Sequence, residues 1–291
     1  MTTTTAAEAV VAAIRSDVDR LVGAEPAVRA DAYDSIHQMR VATRRLRSVL
    51  RSFRGVFDKK TVTGLRDELR WLGGVLGVAR DAEVRAERFE ALLAAEPSDL
   101  VAEPVAQRLV GAQRERYAAA HAEVLAALDS PRYAKLRAGL ADLLEHPDGP
   151  DAGKPSAAVL MKALGREYTR LRGDVRGEFV APADHELEAL HDIRKDAKRL
   201  RYAAEAAAAS LGESAELVSA DAKTLQSVLG DHRDAVESQH VVLDEAQAAR
   251  AAGEDTFAYG LFYAAEERAA RKALAGYHPA LDALTVTCRA L

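Results

Sequence analysis

The stretch IHQMRVATRRLRSVLRSF, residues 36–53, carries Arg40, Arg44, Arg45, Arg47 and Arg51 together with His37. An α-helix turns by about 100° per residue, so with His37 at zero, Arg40, Arg44, Arg47 and Arg51 fall between about 280° and 340°. Met39, Ala42, Leu46, Val49, Leu50 and Phe53 fall between about 120° and 220° on the opposite face, and Arg45 sits at the border near about 80°. The stretch reads as an amphipathic helix. Its apolar face turns to a core, and its other face is a cationic ridge about 21 Å long from His37 to Arg51.

That ridge belongs to an acidic chain, with 40 Lys+Arg against 45 Asp+Glu in 291 residues and a net charge of -5. Hydrophobic residues make up 48%, enough for a packed core and too many for a disordered chain. Aromatics are scarce at 5%, while the helix formers Ala, Leu, Arg and Glu dominate, so the fold class is all-α. Cys288, the one cysteine, has no internal disulfide partner and suits a cytoplasmic protein. The first twenty residues lack the pattern of a signal peptide, and no run of about 18 apolar residues predicts a membrane span.

EHPDGPDAGKPS, residues 145–156, concentrates proline and glycine near the middle of the chain and reads as a linker. The segments on either side repeat. IHQMRVATRRLR (36–47) matches LHDIRKDAKRLR (190–201), and VLGVARDAEV (75–84) matches VLGDHRDAVE (228–237), at offsets of 154 and 153 residues. Two matches in the same order and register predict a duplicated helical bundle, with halves 1–145 and 156–291 joined by the linker 146–155. Expected helices are 6–22, 32–54, 60–76, 80–95, 101–129 and a short one after Pro131, then 157–176, 184–211, 214–230, 233–252 and 255–275. Asp31 and Ser35 stand where N-caps are expected for the first motif helix, and Asp184 for its counterpart.

His191, Arg194, Lys198 and Arg201 form the corresponding ridge of the second half, shorter because Glu205 stands where the first half has Arg51. Arg70 and Lys223 add charge from the helices just downstream, and Arg15, Lys162, Arg166 and Arg170 from the first helix of each half. Solvated helix faces ordinarily mix signs, because like charges three and four residues apart repel. Here they stack without interleaved acids, which an anionic ligand would relieve. Arginine and lysine suit phosphate oxygens, and a protonated histidine at the head of each ridge adds a pH-dependent charge. Neither ridge carries an aromatic on its charged face for base stacking. This favours a polyanion without bases and disfavours sequence-specific nucleic-acid binding.

The paired motifs H-x-x-R-x-x-x-[RK]-R-L-R and V-L-G-x-x-R-D resemble those of the CHAD family, the conserved histidine α-helical domain, over nearly the whole chain. The resemblance implies two four-helix bundles related by a pseudo-twofold axis, sharing a basic central surface. It also implies that the chain binds inorganic polyphosphate and is found on polyphosphate granules in the cytoplasm. By position, the contacts would be His37, Arg40, Arg44, Arg47, His191, Arg194, Lys198 and Arg201, with Arg51, Arg70, Lys223 and the other basic helices contributing. The E-x-E-x-K strand of the hydrolase often fused to this family is missing. Its nearest counterpart, HELEALH (185–191), lacks the lysine, so a stand-alone form is expected.

Other chemistry finds little support. No H-E-x-x-H or Cys/His spacing points to a metal, and WLGGVLG (71–77) lacks the G-K-[ST] of a phosphate loop. The repeated Arg80–Asp81 and Arg233–Asp234 read as structural, the aspartates capping a following helix or pairing with Arg45 and Arg199. No nucleophile–base pair suggests itself, so neither catalysis nor a cofactor is expected. The alternative is an accessory or regulatory subunit of an enzyme that handles polyphosphate, or a binder of other phosphorylated polyanions.

Overall fold

The computed structural model describes residues 4–97, 103–180, 182 and 185–291. In chain order the helices are α1 (Ala6–Gly23), α2 (Glu25–Arg29), α3 (Ser35–Ser52), α4 (Lys59–Ala95), α5 (Glu103–Ala106), α6 (Ala112–Leu128) and α7 (Pro131–Glu145). They continue with α8 (Ser156–Phe179), α9 (Glu186–Leu211), α10 (Glu213–Ala251), α11 (Phe257–Leu274) and α12 (Tyr277–Arg289). A π-helical turn, Gln107–Gly111, joins α5 to α6. The fold is all-α, and among the described residues the one β-type contact is the isolated bridge Thr5–Pro155.

Several helix starts follow from local chemistry. Thr5 and Glu8 close a capping box on α1, the Glu8 amide donating to Thr5 Oγ1 and the Thr5 amide to the Glu8 carboxylate at 2.8 Å. Asp58 caps α4 by accepting from the Thr61 amide, and Ser130 with Pro131 opens α7. The expected caps of α3 are different. Asp34 holds the cap position in a left-handed conformation without a side-chain cap bond, Ser35 is already the first helical residue, and Asp31 instead accepts from the Tyr117 hydroxyl. Asp184 lies outside the described residues, as do 101 and 102 at the start of the helix expected over 101–129.

The largest departure from the sequence reading is at the second motif. Residues 60–76 and 80–95 form one helix, as do 214–230 and 233–252, so Asp81 and Asp234 lie in helix interiors and cap nothing. Gly73, Gly74 and Gly77 do not break α4. An interior glycine costs about 1 kcal/mol relative to alanine, and packing on both sides of the helix overrides that. Two short helices, α2 and α12, were not expected.

The apolar face of α3 is buried as its periodicity requires: Ile36, Met39, Leu46, Val49 and Leu50 are all 0% exposed. Each such residue contributes about 1.5–3 kcal/mol by leaving water. One core runs from Ala6 on α1 to Leu284 on α12, so the segments before and after the linker share it. Within it α3 packs on α4, α9 packs on α10, and α3 and α9 pack on each other. The linker is non-helical but not loose. The Gly149 and Asp151 amides donate to Val56 and Gly55 carbonyls, and the Ala6 amide donates to the Lys154 carbonyl at 2.8 Å. The far ends of α4 and α10 meet α11 in a smaller core of Phe89, Val105, Leu109, Val242, Tyr259 and Phe262.

Candidate functional site

Because α3 and α9 are neighbours and each leans on a long helix, their charged faces open on one groove. It has a cavity volume of about 870 Å³. From the sequence-expected set it is lined by His37, Arg40, Arg44, Arg47 and Arg51 on α3, by Arg70 on α4, and by His191, Arg194 and Lys198 on α9. Arg201, Lys223, Arg15, Lys162, Arg166 and Arg170 do not line it. Glu205 accepts from Arg201 Nε at 2.7 Å, and Arg201 lies over the Tyr202 ring. Arg15 pairs with Glu145 and Arg166 donates to the Ser52 carbonyl, while Lys162, Arg170 and Lys223 are exposed, Arg170 close enough to repel Arg51.

Seven further cations line the groove that the sequence did not single out as binding residues: Arg66, Arg80, Arg85 and Arg88 on α4, Lys195 and Arg199 on α9, and Arg233 on α10. The signal for the α4 set was partly present. Along one unbroken helix Arg66, Arg70 and Arg88 share an arc of about 40°, with Arg80 about 40° to one side of it and Arg85 about 60° to the other. A break placed after residue 76 scatters that stripe.

The two motifs of each repeat meet here. Arg40 Nη1 donates to the Gly73 carbonyl at 3.2 Å, and its Nη2 is 3.4 Å from Asp81 Oδ1. A Cβ at Gly77 would stand 2.6 Å from Arg40 Nη1, so the glycine is what lets the guanidinium lie against α4. In the other wall Arg194 lies against Gly230, where a Cβ would stand 3.2 Å from its Nε, and Asp234 is its main opposing charge. Asp81 and Asp234 thus serve Arg40 and Arg194. Arg45 pairs instead with Asp17 at 2.8 Å and with Glu205, and Arg199 pairs with Asp196.

The groove has two unlike ends. At the histidine end cations have acid partners: Arg80 bonds Glu83, and Arg233 bonds Glu237 at 2.5 Å. Arg233 also donates to His191 Nδ1 at 2.6 Å, which fixes that nitrogen as an acceptor and the ring as neutral. Burial, then Arg80 for His37 and Arg233 for His191, pushes both imidazoles below their usual range. At the other end Arg44, Arg47, Arg66 and Lys198 face one another. Burial, followed by repulsion from Arg44, Arg194, Arg47 and Arg40, brings the Lys198 ammonium down to about 7. Arg44, Arg66 and Arg194 each have a buried Nε–H without a hydrogen-bond partner among the described residues. Such donors cost roughly 1–3 kcal/mol each until an acceptor meets them.

Two aromatics touch the groove, Tyr202 and Phe89, but they are 2% and 0% exposed and present no free ring face. Among the described residues no cluster of three or more His, Cys, Asp or Glu has the arrangement of a metal site.

An all-helical fold with a central groove, in each wall of which an arginine lies against a helix glycine with an aspartate as its opposing charge, defines the class. The chain belongs to the CHAD domain family, whose profile matches residues 12–243. Relatives include uncharacterized proteins of Mycobacterium tuberculosis strains H37Rv and CDC 1551, each 42% identical over 266 residues, covering 89% of this chain and 50% of the relative. The chain therefore spans about half the length of those relatives. Among solved structures, PptA from Streptomyces chartreusis superposes with a TM-score of 0.77 at 21% identity, over 96% of this chain and 100% of that one. The CHAD domain from the plant Ricinus communis superposes with a TM-score of 0.67 at 26% identity, over 99% of this chain and 93% of that one.

Proposed function

We propose that the groove binds inorganic polyphosphate and that the chain acts as a polyphosphate-binding module, associated with polyphosphate granules. One observation carries the reading. Cations from both motif pairs converge on one groove in which Arg44, Arg66 and Arg194 hold buried donors without acceptors among the described residues. A phosphate chain offers closely spaced acceptor oxygens along its whole length, and arginine forks match them in pairs. In this reading segments 1–145 and 156–291 are duplicated halves that supply one wall each.

The buried Tyr202 and Phe89 give bases nothing to stack on, which favours polyphosphate over single-stranded nucleic acid. The net charge of -5 also opposes a long duplex, whose flanks would pass the acidic remainder of the surface. The test is charge reversal on each wall, R40E and R194E, with binding of long-chain polyphosphate measured by titration. Each reversal is expected to weaken binding at least about tenfold without unfolding the chain. An effect from only one of them contradicts a shared groove.

The greater length of the mycobacterial relatives favours a second reading, in which the module presents polyphosphate to an adjoining enzymatic region. Steady release of orthophosphate by the chain alone would argue for catalysis within the groove itself.

A further inference from the structure

Among the described residues three acids line the groove, Asp81 beside Arg40, Asp234 beside Arg194, and Glu237 on the Arg233 that bonds His191. Glu237 is taken up by Arg233. The two aspartates share a different setting. Each follows the glycine of its motif by four residues, one helical turn, and each faces the arginine that crosses that glycine. Arg40 reaches Asp81 at 3.4 Å, a distance that leaves room for a closer acceptor. Arg194 has a backbone-hugging guanidinium, a buried Nε–H without a partner among the described residues, and Asp234 as its main counter-charge. Neither aspartate is needed to start a helix, since both sit inside long ones.

We propose that Asp81 and Asp234 are selectivity residues: each stands in for a phosphate on Arg40 or Arg194, so that only a ligand of dense, continuous negative charge profits from those arginines. The inference rests on the polyphosphate reading above and specifies what sets its preference. A weakly charged or widely spaced polyanion meets Arg40 and Arg194 already offset in part by their aspartates, and gains chiefly from groove cations without an ion pair among the described residues, Arg44, Arg47, Arg66 and Lys198 among them. A polyphosphate chain anchored on those cations carries enough charge to compete with the carboxylates for the two arginines. It then releases counterions along its full length. The acids lower affinity for every ligand, but they lower it most for ligands with the least charge per length.

The experiment compares D81N and D234N with the parent protein, titrating long-chain polyphosphate and a single-stranded DNA of equal total charge, whose phosphates are more widely spaced, over a series of salt concentrations. Asparagine keeps the size and the Oδ1 acceptor, so a purely positional role would survive it. DNA affinity is expected to rise on the order of tenfold in each variant, and its salt dependence to steepen by about one counterion. Polyphosphate affinity should change by less than about threefold. Asp81 is 60% exposed at its side chain, so D81N tests the idea even if D234N fails to fold. Equal changes for both ligands, or a fall for both with unaltered salt slopes, would overturn the proposal and leave the aspartates as props for the arginines. A parent protein that prefers DNA would overturn the polyphosphate reading and this inference with it. A parent that prefers polyphosphate, with a ratio unmoved in the variants, sinks the selectivity role alone.

Discussion

Arg40 lies across Gly77, its Nη1 only 2.6 Å from where a Cβ on that residue would stand. The contact explains why a helix interior should contain the V-L-G of the second motif: the missing methyl is the seat of the first motif's arginine. Arg194 and Gly230 repeat the arrangement in the other wall.

Placing alanine at Gly77 should therefore separate stability from binding. Alanine favours the helix by up to about 1 kcal/mol, and the colliding atom is the far end of a flexible side chain. The variant should be as stable as the parent or slightly more so in urea, yet bind polyphosphate roughly three- to tenfold more weakly. A variant of normal stability with unchanged affinity would show that Arg40 need not lie in that seat.

Lys198 makes affinity depend on pH above neutrality. Its ammonium is held at about 7 in the free groove, chiefly by burial and then by arginines of α3 and Arg194 of α9. A bound polyanion reverses the local field and raises that value, so binding takes up a proton between about 7 and the ordinary lysine value of 10.5. Affinity should fall as pH rises through that window and level off below it. The histidines act in a lower window, since both lie below the usual imidazole value of 6.5. Titrations at constant ionic strength should show the upper slope vanish in K198Q and the lower slope vanish in the double variant H37Q/H191Q.

Lys198 also bears on folding. A lysine depressed in the folded state binds fewer protons there than in the unfolded chain between about 7 and 10.5, so its penalty is complete below 7 and is relieved as pH rises. Denaturation of the ligand-free protein should show less pH dependence over that window in K198Q than in the parent.

Asp17, 1% exposed, binds Arg45 at 2.8 Å behind the groove, and Glu205 holds the same arginine from the other side. Removing the aspartate leaves a half-compensated buried charge, so D17A should lose about 3 kcal/mol in denaturant unfolding. Polyphosphate affinity per folded molecule should be unchanged, because neither partner lines the groove.

The face of α3 and the repetition of both motifs were legible because periodicity and repeats are properties of the sequence itself. The stripe on α4 was not: Gly73, Gly74 and Gly77 look like a break, and a broken helix hides the alignment of Arg66, Arg70 and Arg88. Whether Asp81 would meet Arg40 or Arg45 depends on how α3 docks on α4, which no local pattern specifies. Arg201 shares the ridge in projection, yet Glu205 one turn later draws it away. No helix was expected after residue 275, yet α12 opens at Tyr277-His278-Pro279, and proline is tolerated in a first helical turn where its missing N–H costs nothing.

The central claim is that this groove prefers polyphosphate to other polyanions. The most direct measurement is one set of titrations of the unaltered protein with long-chain polyphosphate, duplex DNA and RNA of equal total charge, at matched pH and stepped salt. The account predicts that polyphosphate binds tightest at every salt concentration, with affinity falling steeply as salt rises through counterion release. Equal or tighter binding of DNA or RNA at any salt, or polyphosphate affinity indifferent to salt, would contradict it.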